Sequence, residues 1–344
     1  MGIQTHFDKF HDRIKLGRED EAYKSARERD DSIKAEVSDA FKDAGYPVTA
    51  DFIQGSLKTH TGVKPIDGDY DIDRALVIDD DVAPDNPVTP KKKVLDVLEG
   101  RGFKDAKIKK PCVTADYASD DVHIDLIIYK RDGDQHYLAV GKKNSDEENR
   151  EWSGCDPLGL IEWINDDSDY GDDAEVKRNQ FRRLVRYSKR WRDVQFSDEA
   201  AAKVFSIGLT VMLKEQFAPS FSTEGARQDI LALHNTVAAV LNAGYFNEEE
   251  EGRYRVRVDL PKSPYREIFF GSSLETGTQL YNKLNRLVEQ LDKAAGEADE
   301  RTQCEILNKL FGDDFDVPDP PKRSSKVKKA TYATPGFVRT SQGA

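Results

Sequence analysis

The chain has 344 residues, 38% of them hydrophobic and 34% charged, enough to build one large domain or two intimate ones. Its 64 acidic residues outnumber 52 basic ones, a net charge of -12, which argues against the overall basic footprint of a protein that grips long nucleic acid and favours small nucleotides as ligands. Cys112, Cys155 and Cys304 form no CxxC pair of the zinc-binding kind, and no stretch approaches the roughly 20 apolar residues of a membrane helix, so a soluble, reduced, cytoplasmic protein is expected.

In chain order, residues 3–44 read as one long helix, with Val37, Phe41 and Ala44 at helical spacing and Gly45-Tyr46-Pro47 ending it. A short strand over 50–54 runs into Gly55-Ser56, and 57–68 reads as a loop. Tyr70, Ile72, Leu76, Val77 and Ile78 mark a strand, 79–90 an acidic surface loop and 91–100 a short helix. The segments 107–117, 122–129 and 136–140 are β-rich, with the hairpin signal Asp132-Gly133 between the last two. Lys91 to Lys93 and Lys107 to Lys110 read as solvated basic faces.

Beyond residue 150 the pattern turns helical, over 158–164, 174–192, 200–216, 223–243, 276–296 and 297–311, which predicts a helical bundle. Residues 318–344, opening Pro318-Asp319-Pro320-Pro321 and continuing with Lys and Arg, have too little apolar content to fold alone. The expected organisation is 1–150 as a catalytic core with its N-terminal helix, 151–317 as a helical lobe closing over a groove, and 318–344 as a flexible basic tail.

The chemistry is carried by carboxylates. In a strand, residues two apart share a face, so Asp71 and Asp73 project together with Ile72 turned to the core. Two like charges on one face repel, and a divalent cation with hard-oxygen preference, Mg²⁺ above all, removes that cost. Asp69 shares the face if the strand starts early, and is an alternative ligand to Asp73 or a turn residue. A third acid, Asp125, stands alone in the apolar run Val122-His123-Ile124-Asp125-Leu126-Ile127-Ile128, where packing gives it no reason to be. His123 shares the face of Asp125 and reads as its support. Such a triad suits two-metal phosphoryl transfer, in which paired ions clamp the attacking and leaving oxygens. Gly55 lets backbone approach a phosphate, and Ser56 offers a hydroxyl and an amide.

Gly55-Ser56, Asp71-Ile72-Asp73 and Asp125, together with the longer string from Gly55 to Asp73, resemble the polymerase β-like nucleotidyltransferase superfamily and, within it, the bacterial cGAS/DncV-like nucleotidyltransferases (CD-NTases) of CBASS anti-phage systems. The resemblance runs over roughly residues 40–316. It implies an α+β fold, with a mixed sheet, flanking helices and a long N-terminal helix followed by a C-terminal helical bundle. Arg183-Leu-Val-Arg-Tyr-Ser-Lys189-Arg-Trp191 resembles the family's spine helix and implies that Lys189 meets the donor triphosphate; Phe205-Ser206-Ile-Gly-Leu-Thr210 implies the same for Ser206. Arg74-Ala75 departs from relatives that carry an acid and a Gly there.

What the resemblance implies is synthesis of a cyclic di- or trinucleotide second messenger from NTPs, ATP among them, with Mg²⁺ or Mn²⁺ held by Asp71, Asp73 and Asp125 and pyrophosphate released. The messenger would reach a downstream effector. A ubiquitin-like conjugation apparatus or another CBASS regulator could act through the tail ending Gly343-Ala344. Tyr170 and the acidic loop 166–173 are candidates for base contacts. The competing readings are a linear oligonucleotide synthase, a protein-AMPylating enzyme and an inactive nucleotide-binding scaffold.

Overall fold

The computed structural model describes residues 2–17, 20–66, 70–117 and 122–320. The Asp69 alternative and nearly all of the tail expected from residue 318 lie outside that range.

The helix expected over 3–44 is two helices, α1 (Ile3–Ile14) and α2 (Glu21–Asp43). Two features divide them. Asp20 accepts from the Gly17 amide at 2.7 Å, and Leu16 and Ile14 exchange backbone hydrogen bonds with Gly62 and Lys64 at 3.2 and 2.7 Å. Ile14 and Leu16 are thus tied to a distant loop, a tertiary contact that accompanies the break.

A mixed sheet forms the first half. Its strands are β1 (Val48–Ile53), β2 (Tyr70–Asp79), β3 (Lys107–Ile108), β4 (Val113–Tyr117), β5 (Val122–Asp132), β6 (Gln135–Val140) and β7 (Glu151–Cys155), the last unforeseen. The order is β1-β2-β5-β4-β3, with β6 pairing β5 further along and β7 pairing β6. Only the β2–β5 pair among these is parallel. A helical turn, α3 (Gly55–Lys58), follows β1, and α4 (Val88–Gly100) follows β2, starting earlier than the sequence suggested.

Side-chain alternation assigns the two faces of the sheet. Ile72, Leu76, Ile78, Ile124, Leu126 and Ile128 point to one face and pack with Ile33, Val37 and Phe41 of α2 and Val94, Leu95 and Leu98 of α4. Asp71 and Asp73 belong to the other face of β2, and Asp125 to the same face of β5. Arg74, the departure noted above, therefore lies under α2. There its buried guanidinium meets Asp30 through Nε at 3.1 Å, and also reaches Asp31 at 2.6 Å and Asp51. It fastens α2 to the sheet behind the acids.

Lys91 is not on a solvated face. It is fully buried, and its Nζ donates to four carbonyls, of Lys109 (2.8 Å), Lys110 (2.8 Å), Ala139 (3.3 Å) and Gly141 (2.7 Å). Its ammonium joins the β3–β4 turn to the end of β6.

The second half comprises α5 (Pro157–Asn165), α6 (Ala174–Gln195), α7 (Asp198–Ala201), α8 (Ser206–Glu215), α9 (Asp229–Asn242), a hairpin of β8 (Phe246–Glu250) and β9 (Arg253–Val256), α10 (Leu274–Gly296) and α11 (Glu300–Phe311). The helix expected over 200–216 is interrupted before Ser206, where buried Val204 gives its carbonyl to Arg192 at 3.3 Å; α9 begins at Asp229, not at 223. The β8–β9 hairpin was not foreseen. This half has its own core, built on Phe181, Leu184, Tyr187 and Trp191 of α6, and α1 joins it through Phe7, Phe10 and Ile14. Phe10 stacks on Tyr187 with ring centroids 5.2 Å apart.

Candidate active site

The parallel register of β2 and β5 sets Asp73 directly opposite Asp125, and Asp71 opposite His123. Residues in register across a parallel pair project on the same side, so acids far apart in sequence meet on one sheet face. Burial, and then the charges of Asp71 and Asp125, push the Asp73 carboxyl up to about 7. Burial acts to raise Asp125 too, but hydrogen bonds from His123 and Thr114 and the charge of Lys109 outweigh it and hold that carboxyl at about 2. Thr114 Oγ1 donates to Asp125 Oδ1 at 2.5 Å, with His123 Nε2 at 3.3 Å and Lys109 Nζ at 3.7 Å from the same oxygen.

The Gly55-Ser56 turn stands over the acids. Gly55 has φ +64°, and a Cβ on it would fall 2.0 Å from Asp73 Oδ2, so only glycine fits. The Gln54 amide donates to the Asp73 carbonyl at 3.0 Å, locking turn and strand together. The carbonyls of Gly55 and Ser56 are turned inward, accepting from the amides of Thr59 (3.2 Å) and Thr61 (2.8 Å).

Across from this turn, α6 brings three cations to the 60–64 segment. Arg186 donates to the carbonyls of His60 (2.5 Å) and Gly62 (3.1 Å), Lys189 to the carbonyl of Thr61 (3.1 Å) and Arg190 to that of Lys64 (2.6 Å). Burial, reinforced by the positive charges of Arg192 and Arg186, lowers Lys189 to about 7. Ser206 opens α8, and its Oγ accepts from Arg192 Nη1 at 2.5 Å.

These groups enclose a cleft of about 400 Å³ between the halves, whose walls include Gly55, Ser56, Asp71, Asp73, Lys189 and Ser206. Asp125 stands behind Asp73 rather than in the cleft wall. Thr61, Arg192, Asp193 and Thr210 also line it, and sequence reasoning missed all four. Arg192 was the findable one, since it lies three residues beyond Lys189 and so on the same helix face. Tyr170 is not in this wall; its ring holds the Lys214 ammonium 4.4 Å from the centroid and lies 5.2 Å from the ring of Phe217.

Among the described residues no three or more His, Cys, Asp or Glu side chains are drawn together at metal-holding spacing. Asp71, Asp73 and Asp125 carry carboxylate oxygens, the donor type a hard divalent cation prefers, and burial together with the charges of Asp71 and Asp125 makes a bare negative charge on Asp73 costly.

Residues 50–129 match the family described as the nucleotidyltransferase domain of DncV-like cyclic GMP-AMP synthases. A cyclic GMP-AMP synthase of Escherichia albertii is 29% identical over 176 residues, which is 48% of this chain and 36% of that protein, so the chain spans about a third of that relative. In fold, the chain resembles the Bradyrhizobium diazoefficiens CD-NTase CdnG in complex with GTP (TM-score 0.67, 16% identity, 91% of this chain and 96% of that one). It also resembles the Vibrio cholerae DncV cyclic AMP-GMP synthase in complex with a linear intermediate (TM-score 0.57, 17% identity, 78% and 69%).

Proposed function

We propose that the chain is a cGAS/DncV-like nucleotidyltransferase, a reading supported by the match of residues 50–129, and that it joins nucleoside triphosphates, ATP among them, into a cyclic di- or trinucleotide second messenger of anti-phage defence. The observation that carries this reading is the meeting of Asp73 with its register partner Asp125 beside a cleft walled by Gly55, Ser56, Lys189 and Ser206. Acids on one wall and anion-binding groups on the other are what phosphoryl transfer between nucleotides requires.

In this mechanism the donor triphosphate lies between the Gly55-Ser56 turn and α6. The inward-turned carbonyls of the turn leave its amides to face the phosphates. Lys189 and Ser206 contact the same phosphates from the helical side. The acceptor ribose hydroxyl attacks the α-phosphorus, the bond to the bridging oxygen of pyrophosphate breaks, and the hydroxyl proton leaves to a carboxylate of the acid face. A second round of the same chemistry closes the linear intermediate. Asp71, Asp73 and Asp125 would hold Mg²⁺ or Mn²⁺, which when bound neutralises phosphate charge and acidifies the hydroxyl.

The test is incubation with the four NTPs and Mg²⁺ or Mn²⁺, followed by phosphatase and nuclease treatment and mass analysis. A phosphatase-resistant cyclic product supports the reading; a linear product or a nucleotidylated protein replaces it with one of its enzymatic rivals. Regulation through the C-terminal tail, by conjugation or by another defence-system protein, belongs to the same proposal and is tested by deleting residues 341–344.

A further inference from the structure

Two buried threonines link the turn to the lysine. Thr59 and Thr61 are almost completely buried, and their hydroxyl oxygens lie 2.9 Å apart. Thr59 Oγ1 is 3.1 Å from the Gly55 carbonyl and 3.3 Å from that of Ser56. Thr61 Oγ1 is 3.3 Å from Lys189 Nζ. A backbone carbonyl can only accept, which fixes the direction from the turn end of the chain. The arrangement that uses both hydroxyl protons therefore runs one way: Lys189 donates to Thr61, Thr61 to Thr59, and Thr59 to the carbonyls of the Gly55-Ser56 turn.

We propose that the Thr59–Thr61 hydroxyl pair is a positioning element that fixes Lys189 relative to the Gly55-Ser56 turn, so that the anion-binding groups from the two halves of the molecule meet a triphosphate as one preset unit. The proposal rests on the reading of the cleft as a nucleoside triphosphate site.

Holding the two halves together does not require these hydroxyls. Arg186 and Arg190 already bind the carbonyls of His60, Gly62 and Lys64, and the Thr61 carbonyl holds Lys189 on its own account. What the Thr61 hydroxyl adds is a second fixed point for the ammonium at the end of a flexible four-carbon stem. Such stems lose much conformational freedom on binding, and a group held in place beforehand loses less. The pair also carries the effect of the ammonium to the turn, since hydrogen bonds in a chain polarise one another.

The experiment is a double-mutant cycle on the full chain, reading dissociation constants for ATP, GTP, CTP and UTP with Mg²⁺ beside melting temperatures. The variants are Thr61→Val, which keeps shape and removes the hydroxyl, Thr61→Ser, which keeps the hydroxyl, Lys189→Ala, and the double variant. For the nucleotides that the wild type binds, Thr61→Val is expected to weaken affinity about 10-fold, Thr61→Ser to stay within about 2-fold, and Thr61→Val to add nothing once Lys189 is gone. If Thr61→Val does not fold, Thr59→Val breaks the same chain one link further back and is expected to weaken binding in the same Lys189-dependent way.

Wild-type affinity in Thr61→Val overturns the proposal, as does an equal loss with and without Lys189, which would make the hydroxyl merely structural. A wild-type chain that binds none of the four nucleotides overturns the triphosphate reading, and this proposal with it; binding by the wild type together with additive losses overturns the proposal alone.

Discussion

Asp73 Oδ2 lies 2.0 Å from the point where a side chain on residue 55 would begin. Backbone and carboxylate thus share a space that no other residue pair could share, and φ +64° at Gly55 is a conformation other residues adopt only at a cost. Gly55→Ala is expected to displace Asp73 and lower synthesis by about 100-fold or more, since misplacing a reacting group by about 1 Å has that effect. The loss of stability should be modest, on the order of 1–2 kcal/mol. Product formation and melting temperature on the same preparation check both halves of the statement; an active Gly55→Ala enzyme would remove the turn from the site.

Asp73 also makes stability depend on pH. Its carboxyl is raised from 3.8 to about 7 by burial and by Asp71 and Asp125, so the folded state holds the proton more tightly than the unfolded state does. The stability this contributes is fully present below the unfolded value and is lost as pH rises through about 7. With a chelator present, Asp73→Asn is expected to melt higher than the wild type at pH 8, by on the order of 1 kcal/mol or more, and equally with it near pH 4. Adding Mg²⁺ should raise the wild-type melting temperature at pH 8 and leave Asp73→Asn nearly unmoved. A wild-type melting curve indifferent to Mg²⁺ would remove the metal assignment.

The buried ammonium of Lys91 donates to four carbonyls. Lys91→Met keeps the stem and removes the donor, leaving those carbonyls to lose a charged hydrogen-bond partner inside the protein. A loss of about 3–5 kcal/mol is expected, read by denaturant titration, whereas Lys92→Met on the same helix should change stability by less than about 0.5 kcal/mol. Equal effects would contradict the burial of Lys91.

Arg74 and Asp30 form a pair in which both side chains are almost wholly out of solvent. Removing Arg74 leaves buried Asp30 with Arg27, 2.5 Å away, as its remaining cation, so Arg74→Met is expected to cost less than the about 3–5 kcal/mol of a fully unpaired buried charge, and Asp30→Asn in the same background should recover part of that loss. Because Arg74 lies on the helix-covered face, the nucleotide dissociation constant of folded Arg74→Lys should match that of the wild type; a shift in affinity would connect the two faces of β2.

The acid strands were legible because they break the pattern around them. Asp71 and Asp73 alternate with the core residue Ile72, and Asp125 interrupts an otherwise apolar strand, which are local anomalies that one sequence displays. The partnership of Asp73 with Asp125 was not legible, because it depends on which strands pair and in what register. The break between α1 and α2 was hidden for the same reason: it is accompanied by contacts of Ile14 and Leu16 with residues 62–64. Lys91 was misread because a charged residue beside two other lysines looks solvated, and the carbonyls that hold it come from residues 109–110 and 139–141. The strand β7 and the β8–β9 hairpin are short, and the charged run Glu248 to Glu251 hides the alternation that would mark a strand.

The most direct measurement is incubation of the wild type and an Asp71→Ala/Asp73→Ala variant with radiolabelled ATP, GTP, CTP and UTP in the presence of Mg²⁺ or Mn²⁺. A phosphatase-resistant, cyclic product is expected from the wild type and none from the variant, with both proteins folded. The same product from both would contradict the assignment of the acid face as the catalytic centre.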